Sequence, residues 1–192
     1  MRKYCFFAVL AIFASVLLAS TADADKFLPF RVGWTGIYKC TDNTGNTWEE
    51  TILVSGKGRA GGHKYFILDF YAEGDMYALH KLIRSTRNEV YDYMGLGTEY
   101  VVVQDVPIGT TWTFTNLKGE TVERTLEAIE TVTVPAGVFE GCFKVRWTYG
   151  DSTEIDGCQW FQRGFGLVKE IAYHGRNWPI VNELTSWESA SE

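Results

Sequence analysis

The chain has 192 residues, a net charge of −6 at pH 7 and 15 % aromatic side chains. A length of this order holds one domain with a real core. An acidic surface without a basic cluster excludes nucleic acid as a partner and charge-driven docking on anionic lipid.

The first element is a targeting segment. Arg2 and Lys3 give a positive start, residues 6–18 are nearly all apolar, and Ala22-Asp23-Ala24 fits the small-x-small cleavage rule. Residues 1–24 are therefore read as a signal peptide, and residues 25–192 as a single antiparallel β domain. The apolar run is short for a membrane span. No cysteine stands at the cleavage point, where a lipid-anchored protein would need one. No later stretch is long and apolar enough to cross a bilayer. The expectation is an exported protein, periplasmic or extracellular, with no membrane span after cleavage.

Strand signals then recur with turn signals between them. Residues 36–40 and 47–54 flank the polar turn "TDNTGN", an Asx-type hairpin turn rather than a calcium loop. "HKYFILDFYA" follows as a strongly apolar strand. Residues 77–84 would also suit one helix face, but "STRN" and the alternating "EVYDYM" after them favour strand. Further strands are read at 99–103, 111–115, 121–134, 139–149, 159–163, 166–172 and 180–187. The pattern predicts an all-β fold of about ten strands. Its shape is a curved antiparallel sheet forming a barrel or half-barrel, lipocalin-like in outline.

The stretch "TVTVPAGVFEGCFKVRW" carries the register problem. Before Pro135 the even positions are mostly apolar; after it the odd ones are (Phe143, Val145, Trp147). Pro135-Ala136-Gly137 reads as a three-residue loop with Val134 opposite Val138. That pairing would put Leu126 on a face with Arg146. A bulge at Glu140-Gly141, or a four-residue loop from Pro135 to Val138, brings Leu126 opposite Trp147 instead.

Most chemical motifs dissolve on inspection. Residues 56–61 match G-x-G-x-x-G, but a strand follows where a dinucleotide site needs a helix. The run reads as a mobile hairpin loop, with Lys57 and Arg59, beside His63 and Lys64, as an anion contact. His63, His80 and His174 show no metal-binding spacing, and no serine sits in a G-x-S-x-G elbow. Glu49 and Glu50 are neighbours on opposite faces of a strand, not a glycosidase pair. No catalytic residue, metal site or cofactor is assigned. Cys40, Cys142 and Cys158 remain in the mature chain. A Cys142–Cys158 disulfide is the expected pairing, closing a short hairpin loop.

The seven tryptophans are mainly core material. A barrel of this size also leaves room for a cavity lined by such rings. Trp112, Trp147 and Trp160 are the expected ligand contacts.

"VPAGVFEGCFKV" followed by "FQRGFGLVKE" resembles a pattern of uncharacterised bacterial exported β-rich proteins. That loose group runs from a P-x-x-x-G start through V-P-A-G-x-F to G-x-G-L-V. Here the start is Pro29–Gly33, "PIGTTWTF" at 107–114 is the second segment, and residues 164–168 are the last. The resemblance implies a barrel-like fold in the cell envelope and brings no catalytic residues. The sequence thus points to a non-enzymatic envelope or secreted protein. Its expected partner is a hydrophobic or amphiphilic small molecule, or an envelope component. A structural or surface-interaction module is the alternative, and a hydrolase the third reading.

Overall fold

The computed structural model describes residues 26–72, 75–76, 80–95, 97–150, 156–173 and 179–189. The signal peptide expected at residues 1–24, His174 and Trp178 lie outside them. The described residues contain no helix. The strands are β1 (Thr35–Thr41), β2 (Thr47–Ala60), β3 (His63–Ala72), β4 (Asp75–Met76), β5 (Lys81–Ser85), β6 (Glu89–Gly95) and β7 (Thr98–Gln104). They continue with β8 (Thr111–Thr115), β9 (Thr121–Val134), β10 (Gly137–Tyr149), β11 (Gly157–Gln162), β12 (Gly166–Tyr173) and β13 (Pro179–Glu188).

Twelve of these form one antiparallel path, β7-β6-β5-β3-β2-β1-β13-β12-β11-β10-β9-β8; the short β4 pairs with β3 beside it. The all-β antiparallel prediction holds, with twelve strands along the path and β4 beside it rather than about ten in all. The sheet curls until its two edges, β7 and β8, nearly meet. They are joined by side chains rather than by a backbone ladder. The Trp112 indole donates to the Val101 carbonyl at 2.9 Å, and Arg124 Nη1 donates to the Val102 carbonyl at 2.9 Å. Phe114 stacks on Tyr100, ring centroids 4.0 Å apart. Carbonyls of the edge strand thereby find donors without a backbone ladder closing β7 on β8.

One end of the barrel is closed by the segment before β1. Phe27, Leu28 and Phe30 are buried in the main core with Val54, Val103, Leu126, Phe143, Val145 and Phe161. Phe27 N–H donates to Thr86 O at 2.7 Å, and Gly164 N–H donates to Phe27 O at 2.8 Å. Those partners are turns on opposite walls, so the segment spans the opening. Full burial of each large apolar side chain there contributes roughly 1.5–3 kcal/mol. A second cluster forms where the tip of the β9–β10 hairpin packs on β12 and β13: Val132, Val134 and Phe139 meet Val168 and Leu184. Ala136 N–H donates to Leu184 O there, at 3.0 Å.

The hairpin of the sequence problem is tighter than expected. Val134 pairs with Gly137, so the loop is Pro135-Ala136 alone. The expected bulge at Glu140-Gly141 is present, with Gly141 at φ +68°. A second irregularity follows between Lys144 and Val145. It sets Leu126 opposite Val145 and Arg124 opposite Trp147, correcting the expected Leu126–Trp147 pair. The glycine-rich run is likewise corrected: residues 56–60 are strand, paired with Tyr65–Ile67 and their neighbours, and only Gly61-Gly62 turns. Of the ambiguous residues 77–84, strand is found from Lys81 onward; 77–79 lie outside the described residues. In "TDNTGN" the Asp42 carboxylate accepts the Thr44 and Asn46 N–H groups, the expected Asx turn.

The expected disulfide does not form: Cys40, Cys142 and Cys158 are free and buried. Cys142 pairs with Gln162 and Cys158 with Arg146. The two cysteines sit four rungs apart on neighbouring strands, roughly 13 Å, beyond the reach of a disulfide. Burial pushes the Cys142 thiol up to about 11 and the Cys40 thiol up to about 12, so both stay protonated and unreactive at neutral pH.

Candidate functional site

Inside the barrel the cross-strand register stacks a single layer of side chains on one face. Cys40 pairs with Asn182, Asn182 with Glu170, Glu170 with Gln159, Gln159 with Val145, and Val145 with Leu126. Directly paired residues share a face. The layer therefore places three polar side chains, from β13, β12 and β11, on the inner wall. Arg124 reaches them from the next rung of β9.

These groups are linked. Arg124 Nη1 donates to Gln159 Oε1 at 3.1 Å, and Gln159 Nε2 donates to Glu170 Oε1 at 2.7 Å. Asn182 Nδ2 donates to Glu170 Oε2 at 3.3 Å. The guanidinium is boxed by rings, its carbon 5.7 Å from the centroids of Tyr100 and Trp147 and 5.9 Å from that of Phe114. Arg124 is only 7 % exposed. Burial holds its pKa below the usual guanidinium value. On the facing wall Asp92 accepts from the Tyr100 hydroxyl at 2.9 Å. Burial pushes the Asp92 carboxyl above its ordinary value, against the pull of Lys81, the Tyr100 hydroxyl and Arg124.

Between these walls lies a cavity of about 280 Å³. Its apolar lining includes Leu28, Phe30, Leu68, Ile83, Val90 and Phe161; its polar lining includes Glu50, Lys81, Asp92, Arg124, Glu170 and Asn182. The two are separated along the barrel axis. Leu28 and Phe30 belong to the closing segment, whereas Lys81 opens β5 and Tyr149 ends β10, at the other end by antiparallel alternation. The cavity is thus apolar in its depth and polar toward the far rim. Two buried polar atoms have no hydrogen-bond partner among the described residues: Arg124 Nε and Asn182 Oδ1. Both belong to cavity-lining side chains. Leaving a buried donor or acceptor unpaired costs about 1–3 kcal/mol each, and buried polar groups are nearly always paired.

Of the expected ligand contacts, only Trp147 lines the cavity. Trp112 is spent on the β7–β8 seam. Trp160 sits in the hairpin cluster, donating to Glu130 Oε1 at 2.6 Å, with Lys144 and Lys169 over its ring. Lys57 lies over the Phe66 ring, 5.4 Å from its centroid, and Arg59 pairs with Lys64 across the β2–β3 hairpin. Neither is part of the cavity. The sequence reading missed Arg124, Asp92, Gln159, Glu170 and Asn182. A signal for Arg124 existed: it holds an even position on β9, the face of Val122 and Leu126, where a charge is out of place. Asp92 likewise shares the Val90 face of β6.

A histidine and a carboxylate meet elsewhere, on β3 and before β5: Asp69 is hydrogen-bonded to His80 Nδ1. Burial alone would raise the Asp69 carboxyl, but hydrogen bonding, led by His80, holds it below its usual value. The hydroxyl of Ser55, on β2, donates to the Ile67 carbonyl at 3.5 Å and not to the imidazole that would have to activate it. No group of three or more His, Cys, Asp or Glu side chains able to hold a metal occurs among the described residues.

Comparison with known proteins places the chain beside others of this shape. The DUF3108-like family model matches residues 99–179. A solved structure from Bacteroides fragilis, of a protein assigned as exported and with a YmcC-like fold, superposes with a TM-score of 0.58 at 15 % identity. The match covers 85 % of this chain and 99 % of that one. A protein from Parabacteroides distasonis assigned to the lipoproteins superposes with a TM-score of 0.55 at 18 % identity, covering 85 % and 98 %. At these identities the likeness is one of fold. No curated protein matches.

Proposed function

We propose that this protein is an exported, non-enzymatic carrier that holds one small amphiphile inside the barrel. The apolar part would lie toward Leu28 and Phe30 and the polar end at the Arg124–Gln159–Glu170–Asn182 line. The observation that carries this reading is a cavity, apolar toward Leu28 and Phe30, that is bordered by two buried, unpartnered polar atoms. A ligand supplying one acceptor and one donor would complete both. The volume matches on the order of ten non-hydrogen atoms at water-like packing. That suits one single-chain molecule and is far too small for a whole phospholipid. An unfilled interior favours the carrier over a purely structural or surface-interaction module. A hydrolase has less support, since the Ser55 hydroxyl donates to the Ile67 carbonyl rather than to His80. Export, to the periplasm or the outside, is supported by the leader-like start and by the fold neighbours assigned as exported or as lipoproteins.

The test is native mass spectrometry of protein purified from its own host, joined to calorimetric titration with eight-carbon single-chain amphiphiles below their micelle concentrations. A co-purifying molecule, or micromolar binding that Leu68→Trp weakens at least tenfold by filling the cavity, is the expected result. A clean unliganded mass together with no heat from any amphiphile would remove the reading.

A further inference from the structure

The charged lining of the cavity sets three carboxyl groups, Glu50, Asp92 and Glu170, against two cations, Lys81 and Arg124. Arg124 is tied to Glu170 through Gln159. Lys81 acts on Asp92 as an opposite charge. Glu50 accepts from the Trp48 indole at 3.1 Å. An anionic head group entering here would meet Glu170 and Asp92 in a low-dielectric space. A cationic one would meet Arg124, the side chain that carries the only unpartnered donor found among the described buried residues. An anion would add a like charge beside those carboxyl groups, and an ammonium, which has no acceptor, would leave the Arg124 N–H unpaired. What the walls leave unsatisfied is hydrogen bonding: one N–H at Arg124 and one carbonyl oxygen at Asn182. They stand at opposite ends of the polar line, on β9 and β13, with three strands between. A head group with separate acceptor and donor atoms serves both.

Building on the carrier reading, we infer that the ligand is an electrically neutral single-chain amphiphile whose head carries both acceptors and hydroxyl or amide donors. This is the chemistry of a polyol ester or an amide rather than of a fatty acid, a phosphate or an amine. Its acceptor meets Arg124 Nε, its donor meets Asn182 Oδ1, and its chain fills the apolar depth.

The experiment compares three eight-carbon probes of matched size on the protein by calorimetry at pH 7.5: octanamide, octanoate and octylamine. Octanamide is expected to bind at least tenfold tighter than either charged probe. Asn182→Leu, close in size but without the acceptor, is expected to weaken octanamide about tenfold and octanoate less. Octanoate or octylamine binding as tightly as the amide overturns the neutral-head inference and leaves the carrier reading standing. Equal weakening of all three probes by Asn182→Leu also overturns it, because the loss would then be one of shape. Binding by none of the three removes both.

Discussion

Asp92 shows how one side chain couples the cavity to stability. Its carboxyl is raised by burial, so the folded protein holds this proton more tightly than the unfolded chain does. Stability from this group is complete below the ordinary carboxylate value near 4. It is lost as pH rises through the higher folded value, since the ionised form must then be buried. Asp92→Asn keeps an acceptor for the Tyr100 hydroxyl and removes the titration. Urea unfolding should find the variant more stable than the parent at pH 7.5, with the difference vanishing toward pH 4. A difference that stays constant with pH would count against this account. Arg124 was open to the same logic from sequence, since it breaks the apolar parity of its strand. Gln159, Glu170 and Asn182 were not. Their strands are short and mixed, and nothing local says which parity turns inward.

At the scale of elements, the cavity wall depends on β10 lying against β11 at a glycine. Trp147 pairs with Gly157. A Cβ added at Gly157 would stand 2.1 Å from the Trp147 ring and 2.6 Å from the Ile171 carbonyl oxygen. Neither atom can yield without moving the ring or the β12 backbone. Gly157→Ala should therefore lower stability by about 1–3 kcal/mol in urea unfolding, the usual cost of overpacking. It should also weaken amphiphile binding, because the displaced ring lines the cavity. An unaltered midpoint and affinity would show that the two strands have slack. The bulge at Glu140-Gly141 was legible, because the parity on either side of Pro135 demands an extra residue. The irregularity between Lys144 and Val145 was not. It leaves no mark on the alternation of β10, yet it moves Arg124 opposite Trp147 and so builds the polar end of the site.

For the whole molecule, the closing segment matters as much as any strand. Phe27 is fully buried, with its ring edge-on to Phe143 at 4.9 Å between centroids and Arg163 above it at 4.8 Å. Phe27→Ala should cost about 3–5 kcal/mol, as for other buried large aromatics, and denaturant or thermal unfolding measures it directly. A loss under 1 kcal/mol would mean that the segment only rests on the barrel. The sequence by itself determined the strands and most of their ends, the Asx turn at Asp42 and the antiparallel class. Those follow from alternation and turn chemistry, which act over a few neighbouring residues. Only the tertiary structure decided the β7–β8 seam, the plugged end, the separation of Cys142 from Cys158 and the cavity with its unpaired atoms. Each depends on strand register and sheet curvature, and these are settled by the packing of residues far apart in the chain.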